Sequence, residues 1–533
     1  MDDVTTILFH NGTIRTNVDA PAARWVLIED GRVAGVHPSA DFARQDEHSV
    51  SNWKLDDELP PADRVVDLDG GALVPGFCDA HVHLPATGLY AGGMDFRGVH
   101  SVEHILDSFA QHAAGGGAVM FGGNFEDPLD RALNRHDLDR VVGERPAMLA
   151  RADMHSCIVS SALIDQLDLT GVDGIDVDGA GEPTGYLREQ AACGAWNWFD
   201  ASLPRDEQIA AIRAAIRHAY SKGVTSVHEM FVVEWRGWPS YDVFTDAIDG
   251  AALNVVTYLG TDEIDKVKSL GHDRIGGDYF LDGSFGSHTA WMKEPFITPP
   301  PEGSPPRGIK YRDDDELYEF FLAAQREGLQ VGVHAIGDAA IEQAITTWER
   351  VAQAVGERSV VERFHRIEHF ECASDNHIRR AKRLNLQASV QPAFDAFWGG
   401  ENGLYADRIG WERAREMNRF GSMCEHNLLL AAGSDSTVTP LDPFLQMKAL
   451  RTHHTEGQSI SGVRALAMHT IGGHMAAHQD DKRGSIEAGA IADLTWLDRD
   501  PVTTNPDDLQ STEVLGTWAS GKRVWPPQEA EAE

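Results

Sequence analysis

The sequence predicts an α/β protein: a (β/α)8 barrel of the TIM type with a small β-sandwich domain built from both chain ends. Three observations lead there. Through the middle of the chain, short apolar runs alternate with helical patterns, which implies a parallel sheet. Both chain ends carry strand-and-turn chemistry in segments too short for a core of their own. Histidine and aspartate fall at the C-terminal ends of the predicted strands, the rim on which barrels of this kind build their sites.

Residues 1–70 open with apolar and polar residues in alternation (ILFHNGTIRT, then RWVLIEDGRVAGV), and the NG and DG steps are hairpin-turn signals. The stretch 37–63 is polar, ends in prolines and reads as a loop or insertion. Residues 71–481 form the predicted barrel. Its strand candidates are ALVPGFCDAHVH, RPAMLARADMH, GVTSVHEM, GGDYFLDGS, GLQVGVHAIG, RFHRIEHF, LQASVQP and NLLLAAGSD. Helical patterns such as PRDEQIAAIRAAIRHAYSKG and DAAIEQAITTWERVAQAVG separate them. A doubly wound sheet is the structural alternative. No GxGxxG or GxxxxGK[ST] follows a strand, so nothing points to a nucleotide fold. The proline-rich segment PFITPPPEGSPPRG is a lid or a surface loop. Residues 482–526 return to strand-and-turn chemistry and pair with the first segment in the small β domain, and 527–533 are a frayed tail.

Composition narrows the function classes. The 533 residues hold 46 Lys and Arg against 83 Asp and Glu, for a formal net charge of -37. Nucleic acid and anionic membrane surfaces need clustered cations, so neither is expected as a partner. No run of about 18 apolar residues is present, so no membrane helix is expected. Acidic residues occupy the start, where an export signal has Lys or Arg. Five cysteines, an odd number in a long chain, point away from a disulfide framework and toward a reducing cytoplasm. The expected partner is a small-molecule substrate, and homo-oligomer formation stays open.

His81 and His83 are two apart at the end of an apolar strand, and i and i+2 of a strand project to one face. His334 ends GLQVGVHAIG, His369 ends RFHRIEHF and Asp435 ends LLLAAGSD. Each alone is an ordinary polar residue at a strand end. Four imidazoles and a carboxylate at equivalent ends of four strands are a ligand set for a divalent transition metal, zinc first, with Mn, Fe or Co also open. Such an ion lowers the pKa of water from 15.7 to roughly 7 and so supplies a nucleophile at neutral pH. A serine nucleophile is disfavoured, because AAGSDS lacks the glycine that would complete a nucleophile elbow.

PGFCDAHVHL, HAIGDAA, RIEHF, SVQP and GSDS resemble the metal-dependent amidohydrolase superfamily. DGSFGSHTA, LARADMHSCIVSSAL and PTGYLRE narrow the resemblance to the branch of N-substituted formamide deformylases, and RGSIEAGAIADLTWLD is similar to that branch's small β domain. The resemblance implies that His81, His83 and Asp435 hold a first metal, and that His334 and His369 hold a second or contact substrate. It further implies that Asp435 takes a proton from the attacking water and passes it to the leaving nitrogen, and that His369 polarises the scissile carbonyl.

Two departures from the family stand out. Family members often carry, four residues before the Asp of the DGS motif, a lysine whose carboxylated form bridges two metals. Asp278 holds that position here, which leaves the number of ions at one or two. Asp278 can bridge, bind one ion or do neither, and Glu189 is a rival carboxylate. His288 stands where the branch usually has Arg, as a loop residue or a substrate contact. His155 matches a family histidine, and His228 is similarly placed; both are expected near the ligands rather than among them. Purine deaminases of the superfamily carry HxxE after the fifth strand, and Gly337 occupies that acid's position here, with Asp338 one further on.

Aromatic residues cluster in expected mouth loops: Trp196, Trp198, Trp235, Trp238, Trp291, Phe394, Phe397 and Trp398. Some pack in the core; the rest make an apolar or aryl pocket. Substrate contacts are expected from His288, His155, Trp291, Phe394 and Trp398. The reading is a hydrolase that uses a metal-activated water on a non-peptide C–N bond, amide or formamide in type, of an apolar or aryl-substituted small molecule. Its rivals are a hydrolase of cyclic amides, imides or imidazolones and a non-catalytic metal-binding barrel.

Overall fold

The computed structural model describes residues 6–16, 23–38, 59–115, 120–126, 128–300 and 304–527. Most of the 37–63 loop, part of the proline-rich segment and nearly all of the 527–533 tail lie outside the described residues.

The site rests on two parallel sheets. One contains β1 (Phe77–Val82), β2 (Val224–Phe231) and β3 (Asn254–Leu259). The other contains β4 (Arg274–Ile275), β5 (Gln330–Ala335), β6 (Arg366–His369), β7 (Gln387–Val390) and β8 (Leu430–Ala432). Their edges meet on both sides. Gly276 N donates to Leu259 O at 2.7 Å, between the β3 and β4 ends, and Asp435 N donates to His81 O at 2.8 Å, between β8 and β1. Val82 also bridges Ser436 in parallel. Hydrogen bonds thus run from each strand to the next and back to the first. Every residue of β1, β2 and β5 is buried, as expected for strands covered on both faces.

Three elements differ from the sequence expectation. ALVPGFCDAHVH splits at Gly76: Ala72–Pro75 joins the sheet of the chain ends and Phe77–Val82 forms β1. RPAMLARADMH supplies a strand, Ala147–Arg151, but in a separate six-stranded sheet drawn from Met94–Arg188. Its place among the parallel strands is taken by NVVTYL of β3, which ends in no His or Asp to mark it. GGDYFLDGS is mostly irregular: Gly276 and Gly277 adopt φ 86° and 76°, and beyond β4 the chain is tied to β5 by Gly277 N donating to Gly332 O at 3.0 Å and by a bridge between Phe280 and His334.

The chain ends share one sheet of eight strands, joined where Leu494–Leu497 runs antiparallel to Ala72–Pro75. Phe9 and Trp518 sit on strands with two others between them, yet their ring centroids are 4.9 Å apart. Flat strands spaced about 4.8 Å apart would keep them well beyond contact, so the sheet curls around its core. The DG step is a hairpin turn, with Asp30 and Gly31 at φ 50° and 75°. The NG step is not a turn. Asn11 lies inside the strand Thr6–Ile14 at φ 61°, where the register shifts as in a bulge.

Helices cover the parallel strands through apolar stripes. In Asp338–Val355, Trp348 is fully buried, stacked between Phe321 at 4.3 Å and His365 at 3.6 Å. Trp348→Ala is expected to cost about 3–5 kcal/mol through lost contacts and the cavity left behind. Urea unfolding measures this, and a loss under about 1 kcal/mol would show that the layer closes over the gap.

Candidate metal centre

His81 lies at the end of β1 with His83 one residue beyond it, His334 lies near the end of β5, and His369 ends β6. Asp435 follows β8, and Asp278 follows β4. All six come together. His81 Nε2 lies 3.3 Å from Asp278 Oδ2 and 3.4 Å from Asp435 Oδ1, and His83 Nε2 lies 3.1 Å from each of the same two oxygens. The other oxygen of Asp278, Oδ1, lies 3.6 Å from His334 Nδ1 and 3.6 Å from His369 Nε2. Asp278 therefore stands between two histidine pairs with one oxygen turned to each.

Most of these atoms are close to one another without a hydrogen bond. His81 Nε2, Asp278 Oδ1, His334 Nδ1, His369 Nε2 and Asp435 Oδ1 are buried and have no hydrogen-bond partner. Orphaned buried polar atoms are costly, and several converging on one point fit a cation. The spacing fits as well: two ligand atoms about 2.0–2.1 Å from a tetrahedral zinc stand roughly 3.3 Å apart. The groups His81–His83–Asp278, His81–His369–Asp435 and Asp278–His334–His369 each bring their ligand atoms within 4.8 Å of one another.

The remaining ring nitrogens are held, which fixes tautomer and aim. His81 Nδ1 lies 3.0 Å from Glu368 Oε2, His83 Nδ1 donates to Met230 O at 2.9 Å, and His369 Nδ1 meets Gln391 Oε1 at 2.8 Å. His334 Nε2 is 3.3 Å from Gly283 O. His369 and Asp435 adopt φ 70° and 52°, a backbone conformation that side chains rarely take. Such strain is stored chiefly at functional positions.

The electrostatics describe a centre in which protons compete with cations. Burial opposes charge on His83, but the Asp278 and Asp435 carboxylates outweigh it and raise the imidazole to about 9. His81 is raised well above its ordinary value in the same way. Burial would raise both carboxyls, yet the adjacent imidazoles hold Asp278 and Asp435 well below the usual range. Two carboxylates thus face two imidazoles that must give up their protons before they can bind metal.

Glu189, the rival carboxylate, is engaged elsewhere: its Oε2 meets His155 Nδ1 at 3.0 Å and accepts from Tyr311. The Glu189 carboxylate raises His155 to about 9 despite its burial. His228 lies below the centre, its Nδ1 2.6 Å from Arg366 Nη1. Burial and that guanidinium hold His228 well below its ordinary value, so it stays neutral.

A cavity opens above the centre in two lobes that share Asp153, His155, His334, His369, Asp435 and Val438. The first has about 490 Å³ of free space, open to solvent, against Glu126, Phe285, Glu371, Phe394, Trp398 and Tyr405. The second has about 510 Å³ against His83, Trp196, Trp235, Arg236, Asp278 and Phe280. Of the expected substrate contacts, His155, Phe394 and Trp398 line the cavity. His288 and Trp291 do not line it. The His288 ring packs on Phe296 at 5.2 Å, and burial together with Arg408 lowers it to about 4. Trp291 N donates to Asp282, and its ring lies under the Lys310 ammonium. Trp198, Trp238 and Phe397 also lie outside the lining.

Four residues next to the ligands stand in the quoted motifs RIEHF, SVQP and DGS but have no role assigned from sequence: Glu368, Arg366, Gln391 and Asp282. Asp282 accepts from the backbone of Trp291, Ile336 and Gly337 at 2.7–3.0 Å, fixing the turn after β5. Arg366 and Glu368 did leave a signal, since opposite charges two apart in a buried strand share a face.

Residues 64–525 match the model of the amidohydrolase family. The chain belongs to that family. This amidohydrolase is 28% identical to Protein LONG AFTER FAR-RED 3 of Arabidopsis thaliana, over 98% of this chain and 92% of the relative. It is 24% identical to N-substituted formamide deformylase of Arthrobacter pascens, over 98% of each chain. Among solved structures, an uncharacterized metal-dependent hydrolase from Pyrococcus furiosus superposes with a TM-score of 0.71 and 28% identity, covering 93% of this amidohydrolase and 100% of that chain. The family's metal dependence is matched by a centre whose donors fit divalent ions. Among the described residues, no helix is long and apolar enough to cross a membrane.

Proposed function

We propose that this amidohydrolase hydrolyses a non-peptide C–N bond, amide in type, of a small molecule with apolar or aryl substituents, with two divalent ions bound, zinc first. The observation that carries this reading is the divided Asp278 carboxylate. His81, His83 and Asp435 share its Oδ2 side, and His334 and His369 share its Oδ1 side. It can therefore take the bridging place that a carboxylated lysine holds in relatives. The strand ring supports a closed (β/α)8 barrel that starts at Phe77 rather than at 71, and the curled terminal sheet, which includes Ala72–Pro75, supports a small β-sandwich domain from the two chain ends. The five cysteines are free, which fits a reducing compartment such as the cytoplasm.

Bound ions supply Lewis acidity and a nucleophile at neutral pH. The chain supplies the rest. Asp435 borders both the centre and the cavity, so its carboxylate can accept the proton of the attacking water and return it to the departing nitrogen. The His155 imidazolium has Nδ1 engaged by Glu189, which leaves Nε2 for the carbonyl oxygen as negative charge develops there. His369 would serve as a ligand when both ions bind; its Nδ1 donates to the Gln391 oxygen, so with one ion bound only its imidazolium form would have an Nε2–H to polarise the carbonyl. The ring-lined lobes exclude water and hold the substituents.

The test is metal analysis with turnover of a panel of open-chain and cyclic amides, on wild type and on His81→Ala and Asp435→Asn. Both variants are expected to lose at least about 100-fold in kcat/KM, since even residues behind the ligands are worth about 10–100-fold. Full activity in either would remove the assigned roles. Turnover of rings alone would move the reading to a cyclic-amide hydrolase, and a metal-loaded protein inert to the whole panel would make it a binding barrel.

A further inference from the structure

We propose that the first lobe of the cavity is a recognition site for a protonated amine carried by the substrate. This rests on the hydrolase reading for what the substrate is, but not for the lobe's chemistry. Glu371 lines the lobe, is only 3% exposed, and its Oε2 has no hydrogen-bond partner. A buried carboxyl with an open oxygen either holds a proton or pairs with a cation that reaches it, and the lobe gives a cation access to Oε2. Glu126 lines the same lobe, with Oε1 accepting from Trp398 Nε1 at 2.8 Å.

The walls between the two acids are aromatic. Phe394 and Trp398 have centroids 4.8 Å apart, Trp398 and Tyr405 6.4 Å, and Phe285 and Tyr405 5.3 Å. Ring faces beside carboxylates make an environment that favours an organic cation over a neutral group of the same shape. Of the lobe's cationic side chains, Arg151 is only 3% exposed and is committed to Asp153, which also accepts from Ser284 and Ser287, and His155, shared with the second lobe, is paired with Glu189. The second lobe differs: it presents Arg236, paired with Asp200, among Trp196, Trp235 and Phe280. The cavity is therefore polarised, with the acid-and-ring end suited to an ammonium and the other end to the uncharged part of the molecule.

The probe is 2-phenylethylamine against its neutral isostere 2-phenylethanol, titrated calorimetrically at pH 8 into the metal-loaded protein. The amine is expected to bind at least about tenfold tighter, and Glu371→Gln is expected to erase that preference while metal content holds. Glu126→Gln and Trp398→Leu are expected to reduce it, and they carry the test should Glu371→Gln misfold. Equal affinities would overturn the proposal. So would an amine preference that survives Glu371→Gln but vanishes with chelation, because the amine would then be ligating a metal. The two readings fail separately: amide turnover without amine preference removes this site, and amine preference without turnover removes the hydrolase.

Discussion

Asp278→Asn is expected to lower bound divalent metal from two equivalents to about one and to cost at least about 100-fold in kcat/KM, given that even residues behind metal ligands are worth about 10–100-fold. The substitution keeps the shape of the side chain and one acceptor oxygen. It turns the other oxygen into an NH2, a donor with no lone pair to offer. Whichever way the amide settles, one side loses its acceptor: either Oδ2, 3.3 Å and 3.1 Å from His81 and His83, or Oδ1, 3.6 Å from His334 and His369. The pair that keeps an oxygen keeps its ion. The other pair meets a donor and loses its bridging charge.

Metal stoichiometry by mass spectrometry, read beside steady-state kinetics, separates the outcomes. Two equivalents retained in the variant would mean that Asp278 does not bridge. Glu189 would then be the next carboxylate to test, although it is engaged by His155 and Tyr311. A loss of activity with both ions retained would place Asp278 in proton handling instead.

The sequence made part of this centre legible through one physical regularity. Polar residues at the C-terminal ends of apolar strands have few reasons to be there, and His81, His83, His334, His369 and Asp435 could each be read that way. Asp278 was legible only by its offset from a motif, because the chain around it is irregular and carries no strand period. Strand order was legible where a polar end flagged it and failed where none did. NVVTYL ends in leucine and carries no such flag, whereas RPAMLARADMH ends in His155 and has the look of a strand of the parallel ring without belonging to it. His155 does reach the cavity, but from the six-stranded sheet, so its apparent equivalence to the ends of the parallel strands is a coincidence of direction. Cavity lining was least legible. Trp291 and Trp398 are alike in sequence, and only packing sends the second ring into the cavity and the first away from it.

Glu368→Gln is expected to weaken metal binding by about 10–100-fold, the range for a carboxylate behind a metal-bound histidine. Arg366→Met is expected to cost about 3–5 kcal/mol of stability by leaving a buried charge unpaired. Both follow from one chain of contacts. Arg366 grips Glu368 with two bonds of 2.8 Å, and Glu368 Oε2 stands 3.0 Å from His81 Nδ1, which turns Nε2 toward Asp278 and Asp435. Arg366 also reaches Ala80 O at 2.8 Å and His228 Nδ1 at 2.6 Å, with its guanidinium 4.6 Å from the centre of the Tyr258 ring. All of this is buried, so no solvent relieves a missing partner. The double variant Glu368→Gln/Arg366→Met is the deciding measurement. Without either charge the interior is neutral, so urea unfolding should recover much of the stability lost in Arg366→Met. Metal affinity should not recover, because His81 still lacks the carboxylate that sets its tautomer. Recovery of both would mean that the pair serves packing alone; recovery of neither would mean that Arg366 holds the strand ends through Ala80 and His228 rather than through Glu368.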